Sequence, residues 1–294
     1  MSRRYVGLFF GFLLVPAILS GGGKSDRQFR LTLSSSLYRG VFDTVYVNNY
    51  TPTDYSALPG TKASQSLSLQ GAGGTGISFS VVYYLTKCLG IRFSAGSSHF
   101  GIKGENSPYE MVLKYRSMMP PDYQPRDITH EYTLPWGRTE GKLKTLFATA
   151  GLEFRHEFSR ILQASVSVCP GLYRVWGEFS PLGYTKFWLG GHSVLFVFNN
   201  LVYLKIPASL RPGLNLGAEL TVGLGSRLFL WFRGGYDLVG RIGKVPTVDR
   251  AVDYTYGSPV QNEDLADISS TLALKKLRLS PSAVFVGAGL GIGF

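Results

Sequence analysis

The residues that could carry out hydrolytic chemistry are Ser97, Ser98 and His99, which follow one another in a chain with four histidines. A serine becomes a nucleophile when a histidine takes its proton and an acidic residue orients that histidine. No acidic residue near this cluster suits the orienting role. We therefore predict that the protein is not an enzyme and has no catalytic residues.

Six charged residues share a second pattern, because each stands on the polar side of a segment that alternates apolar and polar residues. They are Arg30, Arg92, Glu153, Arg155, Glu219 and Arg233. Alternate residues of a strand point to the same face of its sheet. A buried charge is costly unless it is paired, so we expect these side chains to pair on an inner face. The alternative is that they line a gated path for ions.

The two cysteines, Cys88 and Cys169, do not indicate a metal centre or a cross-link. In the strand arrangement predicted below they are roughly 20 Å apart, which is too far for a disulfide. We predict neither a metal ion nor a cofactor.

Eight segments alternate apolar residues with polar or small ones, and this period of two predicts β-strands. In the clearest segment, Leu204, Leu210 and Leu220 share one face, and in another Leu67 shares a face with Ile77. The eight segments are residues 29–37, 67–83, 89–95, 146–154, 162–172, 202–222, 228–236 and 284–294.

The connectors between these segments alternate in length. Three are short (85–88, 159–160 and 223–227) and four are long (about 39–65, 104–142, 180–200 and 241–279). Transmembrane barrels have short periplasmic turns and long extracellular loops, whereas long loops are uncommon in compact soluble domains. We predict an all-β fold, a single transmembrane antiparallel β-barrel of eight strands. The six charged residues would then form a lumen charge network that plugs its narrow interior.

The number of strands has one alternative. Residues 194–198 continue the strand pattern, and their pairing with residues 184–189 would give ten strands and a wider lumen.

Composition agrees with a membrane protein that lacks membrane helices. Hydrophobic residues make up 45% of the chain and charged residues only 17%, against about 25% charged in soluble domains. A membrane helix needs about 20 consecutive apolar residues, but the longest run, residues 6–19, has 14. This run, preceded by Arg3 and Arg4, predicts a signal peptide over residues 1–22 and a barrel domain over 23–294.

Without Arg3 and Arg4 of the predicted signal peptide, 28 basic and 19 acidic residues leave a net charge of +9. This charge favours a phosphate-bearing membrane surface over nucleic acid as the partner, because an exported chain rarely meets nucleic acid. The long connectors are also rich in aromatic residues and arginine, which dominate protein interfaces. Aromatic residues equally form girdles at the membrane boundary, and the sequence leaves both interpretations open. The residues are Tyr46, Tyr50, Tyr55, Tyr109, Tyr115, Met118, Met119, Tyr123, Tyr132 and Trp136, with Arg116, Arg126 and Arg138.

Three segments resemble a known group of proteins. They are residues 82–92, residues 203–207 leading to Gly213 and Gly217, and the glycine-alternating end with Phe294. They are similar to the small outer-membrane β-barrels of Gram-negative bacteria, the OmpX/OmpW-like and related porin-like families.

That resemblance implies an integral protein of the outer membrane of a Gram-negative-type bacterium, with a role in envelope structure or in surface binding through its loops. It implies contact with outer-membrane lipid and lipopolysaccharide, and recognition of Phe294 as a C-terminal signal by the outer-membrane assembly machinery. An OmpW-like conduit or narrow porin for small solutes is the alternative function.

Overall fold

The structure is a computed structural model that describes most of the chain. The described residues are 29–51, 58–119, 124–134, 137–159, 161–190, 193–225, 227–253, 260–262 and 265–294. The predicted signal peptide, residues 1–22, lies outside them, as do Tyr55, Tyr123 and Trp136.

The described residues are mostly β-strand, with one short helix. In chain order the elements are β1 (Phe29–Gly40), β2 (Asp43–Tyr50), β3 (Lys62–Tyr84), β4 (Leu89–Glu105), β5 (Tyr109–Met119), β6 (Gln124–Leu134), β7 (Arg138–Glu157), β8 (Leu162–Gly190), β9 (Ser193–Gly223), β10 (Leu228–Val239), β11 (Ile242–Lys244), β12 (Thr247–Asp253), β13 (Val260–Asn262), α1 (Leu265–Leu272), β14 (Leu277–Leu279) and β15 (Ala283–Gly293). Among the described residues, no helix has the length and apolarity needed to cross a membrane.

Eight strands close a ring in which each pairs antiparallel with both neighbours, in the order β1, β3, β4, β7, β8, β9, β10 and β15. Strand β1 closes the ring, because Leu31 pairs with Val81 of β3 and Leu33 pairs with Leu290 of β15. A closed ring leaves no unpaired backbone edge, which is the condition for a sheet to cross hydrocarbon. The predicted eight-stranded antiparallel barrel is confirmed.

The outside of this ring is apolar over the segments that the sequence predicts to cross the membrane. Its exposed side chains include Leu33, Leu37, Ile77, Phe93, Leu172, Leu210, Val286 and Leu290. Within the part of the chain that the structure describes, no second layer packs over them, so these side chains face the hydrocarbon of a bilayer. Towards the long connectors the outer face becomes charged: on β7, exposed Leu146 is followed outward by exposed Lys144 and Lys142.

β-Bulges reverse the direction of side chains within several strands, and two of them bear on the predicted faces. Strand β3 has one extra residue opposite β4 between Gly71 and Gly74, and the register of β9 against β8 shifts in the same way after Ile206. A bulge of one residue exchanges the two faces of everything beyond it. The prediction that Leu67 shares a face with Ile77 is therefore wrong, since Leu67 is buried inside whereas Ile77 is exposed outside.

The same correction applies to the segment 202–222. Leu204 is fully buried inside the ring, whereas Leu210 is 63% exposed on the outside. The apolar–polar alternation continues through the bulge without a break, so residue spacing alone predicts that both leucines lie on the same face of the sheet.

The segment 184–200 lengthens two strands instead of adding two. Residues 184–189 pair with residues up to 200, as the ten-strand alternative required, and the pairing continues to Gly190 and Ser193. These residues are the outer ends of β8 and β9, which are already in the ring. The ten-stranded alternative is therefore wrong.

Above the membrane band, other elements continue the wall of the barrel. Strand β2 pairs with the outer half of β3, and β12 pairs with the outer half of β9. The helix α1 contacts both β2 and β12. Asn48 of β2 donates a hydrogen bond to the carbonyl oxygen of Leu272 at 3.4 Å, so α1 lies across the gap between the two strands. We call these outer strand halves, with β2, β5, β6, β11–β14 and α1, the outer region.

Candidate functional site

Four of the six predicted lumen residues form one ion-pair cluster across the barrel. Arg30 Nη2 lies 2.6 Å from Glu153 Oε1 and 2.8 Å from Glu219 Oε1. Arg92 Nη1 lies 2.6 Å from Glu153 Oε2 and 2.9 Å from Glu219 Oε2. These residues come from β1, β4, β7 and β9, and all four side chains are buried. Each carboxylate thus joins both arginines, and the cluster ties four strands together through the lumen. We call it the central cluster.

Small polar residues and aromatic rings enclose the central cluster. Tyr84 donates a hydrogen bond to Glu153 Oε1 at 2.8 Å, and Arg30 Nη1 donates to Thr221 Oγ1 at 3.3 Å. Arg92 reaches the hydroxyls of Ser94 and Ser80 at 3.3 and 3.4 Å. The serine and threonine residues that alternate along these strands therefore supply hydrogen bonds where larger side chains would not fit.

Arg233 lies in a second network above the central cluster. Its Nη2 donates to Asn215 Oδ1 at 2.5 Å and to Ser167 Oγ at 3.1 Å. Asn215 in turn donates to Asp237 Oδ1 at 2.6 Å, which also accepts from the hydroxyl of Tyr173 at 2.9 Å. Sequence reasoning missed Asp237 and Tyr173 as members of this network. Asp237 could have been found, because it shares strand parity with Arg233.

Arg155 lies at the periplasmic end of the lumen, apart from the central cluster. Its Nε and Nη2 donate to the carbonyl oxygen of Lys87 at 3.1 and 3.0 Å, and its guanidinium stacks 3.9 Å from the ring centre of Tyr84. The cavity around Arg155, Tyr84 and Phe229 has a volume of only about 20 Å³, little more than one water molecule needs. The described side chains thus leave almost no space at this mouth.

The inside of the outer region is apolar. Its buried residues include Leu67, Leu69, Ile102, Leu143, Val175, Phe179, Val202, Leu204, Ile206, Ile242 and Leu272. The hydroxyl groups of Tyr50 and Tyr109 hydrogen-bond to each other within it at 2.7 Å. Burial raises the pKa of Tyr46 to about 12, so this phenol stays neutral at physiological pH. A packed apolar core therefore lies above the polar lumen.

Those aromatic residues of the long connectors that the structure describes lie mainly in this core. Tyr46, Tyr50, Tyr109 and Tyr115 are buried there, so they neither form a membrane girdle nor present a binding surface. Tyr132 packs partly buried against exposed His130 on the β5–β6 hairpin.

The serine and histidine residues of the sequence cluster point to different faces of β4. His99 is exposed on the outside, whereas Ser98 is buried on the inside, so adjacent strand positions separate that pair. Cys88 is exposed and Cys169 is buried. Within the described residues, no group of three histidine, cysteine, aspartate or glutamate side chains could hold a metal ion.

No family model matches the chain, and no curated protein sequence matches it. Several solved barrels have a similar fold. Neisserial surface protein A is 11% identical with a TM-score of 0.38, over 91% of this chain and 97% of that one. OprG from Pseudomonas aeruginosa is 11% identical with a TM-score of 0.39, over 91% and 96% of the two chains. The outer-membrane protease OmpT from Escherichia coli is 7% identical with a TM-score of 0.39, over 94% and 99%.

The protein is a transmembrane antiparallel β-barrel. Because these TM-scores are low, the closed ring and its lipid-facing apolar band carry the fold assignment.

Proposed function

We propose that this protein is a closed, non-enzymatic barrel that contributes to envelope structure and binds partners through its outer region. The observation that carries the proposal is the filling of the interior. The central cluster crosses the polar half of the lumen, and the apolar core fills the outer half. An ion would have to pass both.

Planar-bilayer recording of the reconstituted full chain tests the closed lumen. We expect no steady conductance, while a general porin added afterwards to the same bilayer opens in the usual steps and shows that pores are detected. Steady openings by this chain would overturn the proposal.

The alternative proposal is a conduit for small solutes. One feature favours it: between β2 and β12 the outer wall is spanned by α1, and movement of the helix would open a side path into the outer region. Solute-dependent swelling of proteoliposomes that contain the wild-type chain would support this alternative and contradict the closed barrel.

Binding through the outer region is supported by the β5–β6 hairpin, which ends the sheet. Arg116 and Arg126 on this hairpin are exposed. Trypsin added to intact cells should cut there and leave the membrane-spanning strands whole. If trypsin cuts at neither arginine on intact cells but does cut after lysis, the hairpin lies on the periplasmic side of the membrane. That result would contradict binding at the cell surface.

The absence of enzymatic activity is supported by the separation of His99 from Ser98 on β4. The purified chain in detergent should release no more product from ester or peptide substrates than buffer does. Turnover that the His99→Ala variant loses would contradict the proposal.

The assembly machinery and outer-membrane lipid, lipopolysaccharide included, are the proposed general partners, and residues 1–22 the proposed export signal. Phe294 lies exposed at the end of β15, where its backbone N–H donates to the carbonyl oxygen of Phe29 at 2.9 Å. We expect cells to contain less folded barrel when they express Phe294→Ala than when they express the wild type. The control Phe158→Ala, at an exposed position in the turn between β7 and β8, should not lower the amount. Equal amounts of both variants would contradict the role of Phe294.

A further inference from the structure

One side of the barrel carries a group of cations directly above its lipid-facing band. On β7, exposed Lys144 and Lys142 follow Leu146, and on β8 exposed Arg174 follows Leu172. On β4, exposed His99 and Lys103 lie at the corresponding level. We call the five residues His99, Lys103, Lys142, Lys144 and Arg174 the basic belt.

The strand register places the members of the basic belt next to one another. Lys144 pairs with His99 of β4 on one side and with Trp176 of β8 on the other. Directly paired residues on one face have Cβ atoms about 5 Å apart. A groove of about 620 Å³ lies over this wall, lined by His99, Lys103 and Lys142. Lys103 and Lys142 thus border a space large enough for a lipid headgroup, and Lys144 and Arg174 lie beside it on the same wall.

Two acidic residues stand directly opposite lysines of the basic belt, because Glu140 pairs with Lys103 and Glu178 pairs with Lys142 in the strand register. Glu140, Glu178 and Asp249 also line the groove, and Asp249 lies 3.4 Å from Lys205. Among the described residues, no carboxylate lies within ion-pair distance of Lys142, Lys144 or Arg174. Arg174 instead lies over the ring of Trp176, at 5.8 Å from its centre. Tryptophan is enriched at the membrane–water boundary.

Among the described residues, the opposite side of the barrel has no comparable group of cations. On β10 and β15 the outward residues near the top of the apolar band are Tyr236, Leu238, Val284 and Val286, and on β1 they end in the single cation Arg39. The positive charge at this level is therefore concentrated on β4, β7 and β8.

We propose that the basic belt is a binding site for the phosphate groups of anionic lipids in the outer leaflet. The inference deepens the proposed function, because it rests on the lipid-facing orientation of the barrel and assigns its lipid contact to one face. Lipid phosphates lie at the boundary between hydrocarbon and water, which is the height of the basic belt. Lysine and arginine attract such phosphates, and in this place they do so without displacing an existing ion pair.

Lipid binding to the full chain in neutral maltoside detergent tests this site, with native mass spectrometry to count bound lipids. The probes are dioleoylphosphatidylglycerol and dioleoylphosphatidylcholine, whose tails are the same and whose net charges differ. We expect the wild-type chain to bind phosphatidylglycerol at least about tenfold more tightly. The variant Lys142→Gln/Lys144→Gln/Arg174→Gln should lose at least about tenfold of that affinity, which corresponds to about 1.4 kcal/mol.

The matched control removes the same charge elsewhere. The variant Arg39→Gln/Lys62→Gln/Arg278→Gln changes three exposed cations outside the basic belt, and we expect its affinity to stay within about twofold of wild type. A difference in gel migration between boiled and unboiled samples, as in the wild type, shows that each variant is folded. The proposal is overturned if the wild type does not discriminate between the two lipids, or if both triple variants behave alike.

Inorganic phosphate separates a lipid site from a site for free phosphate. At millimolar concentration it should leave phosphatidylglycerol bound, because the lipid also contacts the apolar band. Full displacement would overturn the lipid assignment. None of these results depends on conductance, so the failure of this site and the failure of the closed-barrel proposal are distinguishable.

Discussion

The membrane band and the outer region use the same ring of strands with opposite face chemistry. In the band, Leu210 faces lipid while Glu219 and Arg233 fill the inside. In the outer region, Lys205 faces water while Leu204 and Leu143 are buried inside. Each face follows its surrounding medium, because apolar surface is stable against hydrocarbon or a packed core and charge is stable in water or in a paired network. At the boundary between the two regions, the outer face therefore changes from apolar to charged and the inner face from charged to apolar.

The largest expected effect comes from breaking the central cluster. Glu153→Ala leaves Arg30 and Arg92 with one carboxylate in a buried site, and removing one partner of a buried pair costs about 3–5 kcal/mol. Equilibrium unfolding in urea should show this loss. The control Glu140→Ala, on the exposed face of the same strand, should show almost none, and equal losses would mean that the lumen pairs do not hold the strands together.

The outer region should respond to cavities in its core. Leu204→Ala removes buried methyl groups and should cost about 2–5 kcal/mol. Leu210 lies on the same strand at the same sequence parity, but its side chain faces lipid. Because lipid fills the space that Leu210→Ala leaves, this variant should lose clearly less free energy of unfolding. A larger loss at Leu210 would contradict the reversal of faces at the β9 bulge.

The upper lumen network should give a smaller change. Tyr173→Phe removes one of the two donors to Asp237 Oδ1 and leaves Asn215 as the other, so it should cost about 0.5–1.5 kcal/mol, the net contribution of a typical hydrogen bond. Tyr83→Phe on the outward face of β3 serves as the control. If the two variants unfold at the same urea concentration, the Tyr173 hydroxyl does not support the network.

The exposed hairpin should give the smallest change. Arg116 lies 2.8 Å from Asp127 and lowers the pKa of that carboxyl. Any stability that this ion pair contributes is present at neutral pH and is lost as the pH falls through the lowered pKa of Asp127. Because both side chains are open to water, we expect no detectable change in the unfolding midpoint. A pH-dependent difference in unfolding midpoint between wild type and Arg116→Ala would show that the hairpin pair is stronger than its exposure suggests.

The sequence predicted the eight ring strands because period-two alternation is visible wherever one face of a strand meets lipid. It misplaced Leu67 and Leu204 because a bulge moves side chains to the other face without a break in that alternation. Gly71, Gly73 and Gly74 cluster at the β3 bulge, and glycine inside a strand often marks a bulge.

The central cluster illustrates what side-chain parity can and cannot predict. Parity placed Arg30, Arg92, Glu153 and Glu219 on the inner faces, but the height of each residue depends on strand register. Register places Arg233 directly opposite Glu219, yet its guanidinium bonds to Asn215 and Ser167. Side-chain direction, which parity does not predict, therefore keeps Arg233 out of the central cluster, as it does for Arg155 beside the carbonyl oxygen of Lys87. The outer core was missed because Tyr46 and Tyr109 belong to connectors that read as loops, while their burial depends on pairing with distant strands.

Fluorescence quenching by brominated lipid tests most directly whether hydrocarbon covers the predicted face. Phe232→Trp places a tryptophan on the exposed outer face of β10, and Phe179→Trp places one in the buried outer core; both are read against the background of the four native tryptophans. In bilayers of brominated lipid, we predict added quenching for Phe232→Trp and none for Phe179→Trp. Quenching of the Phe179→Trp signal, or its absence in Phe232→Trp, would contradict the account.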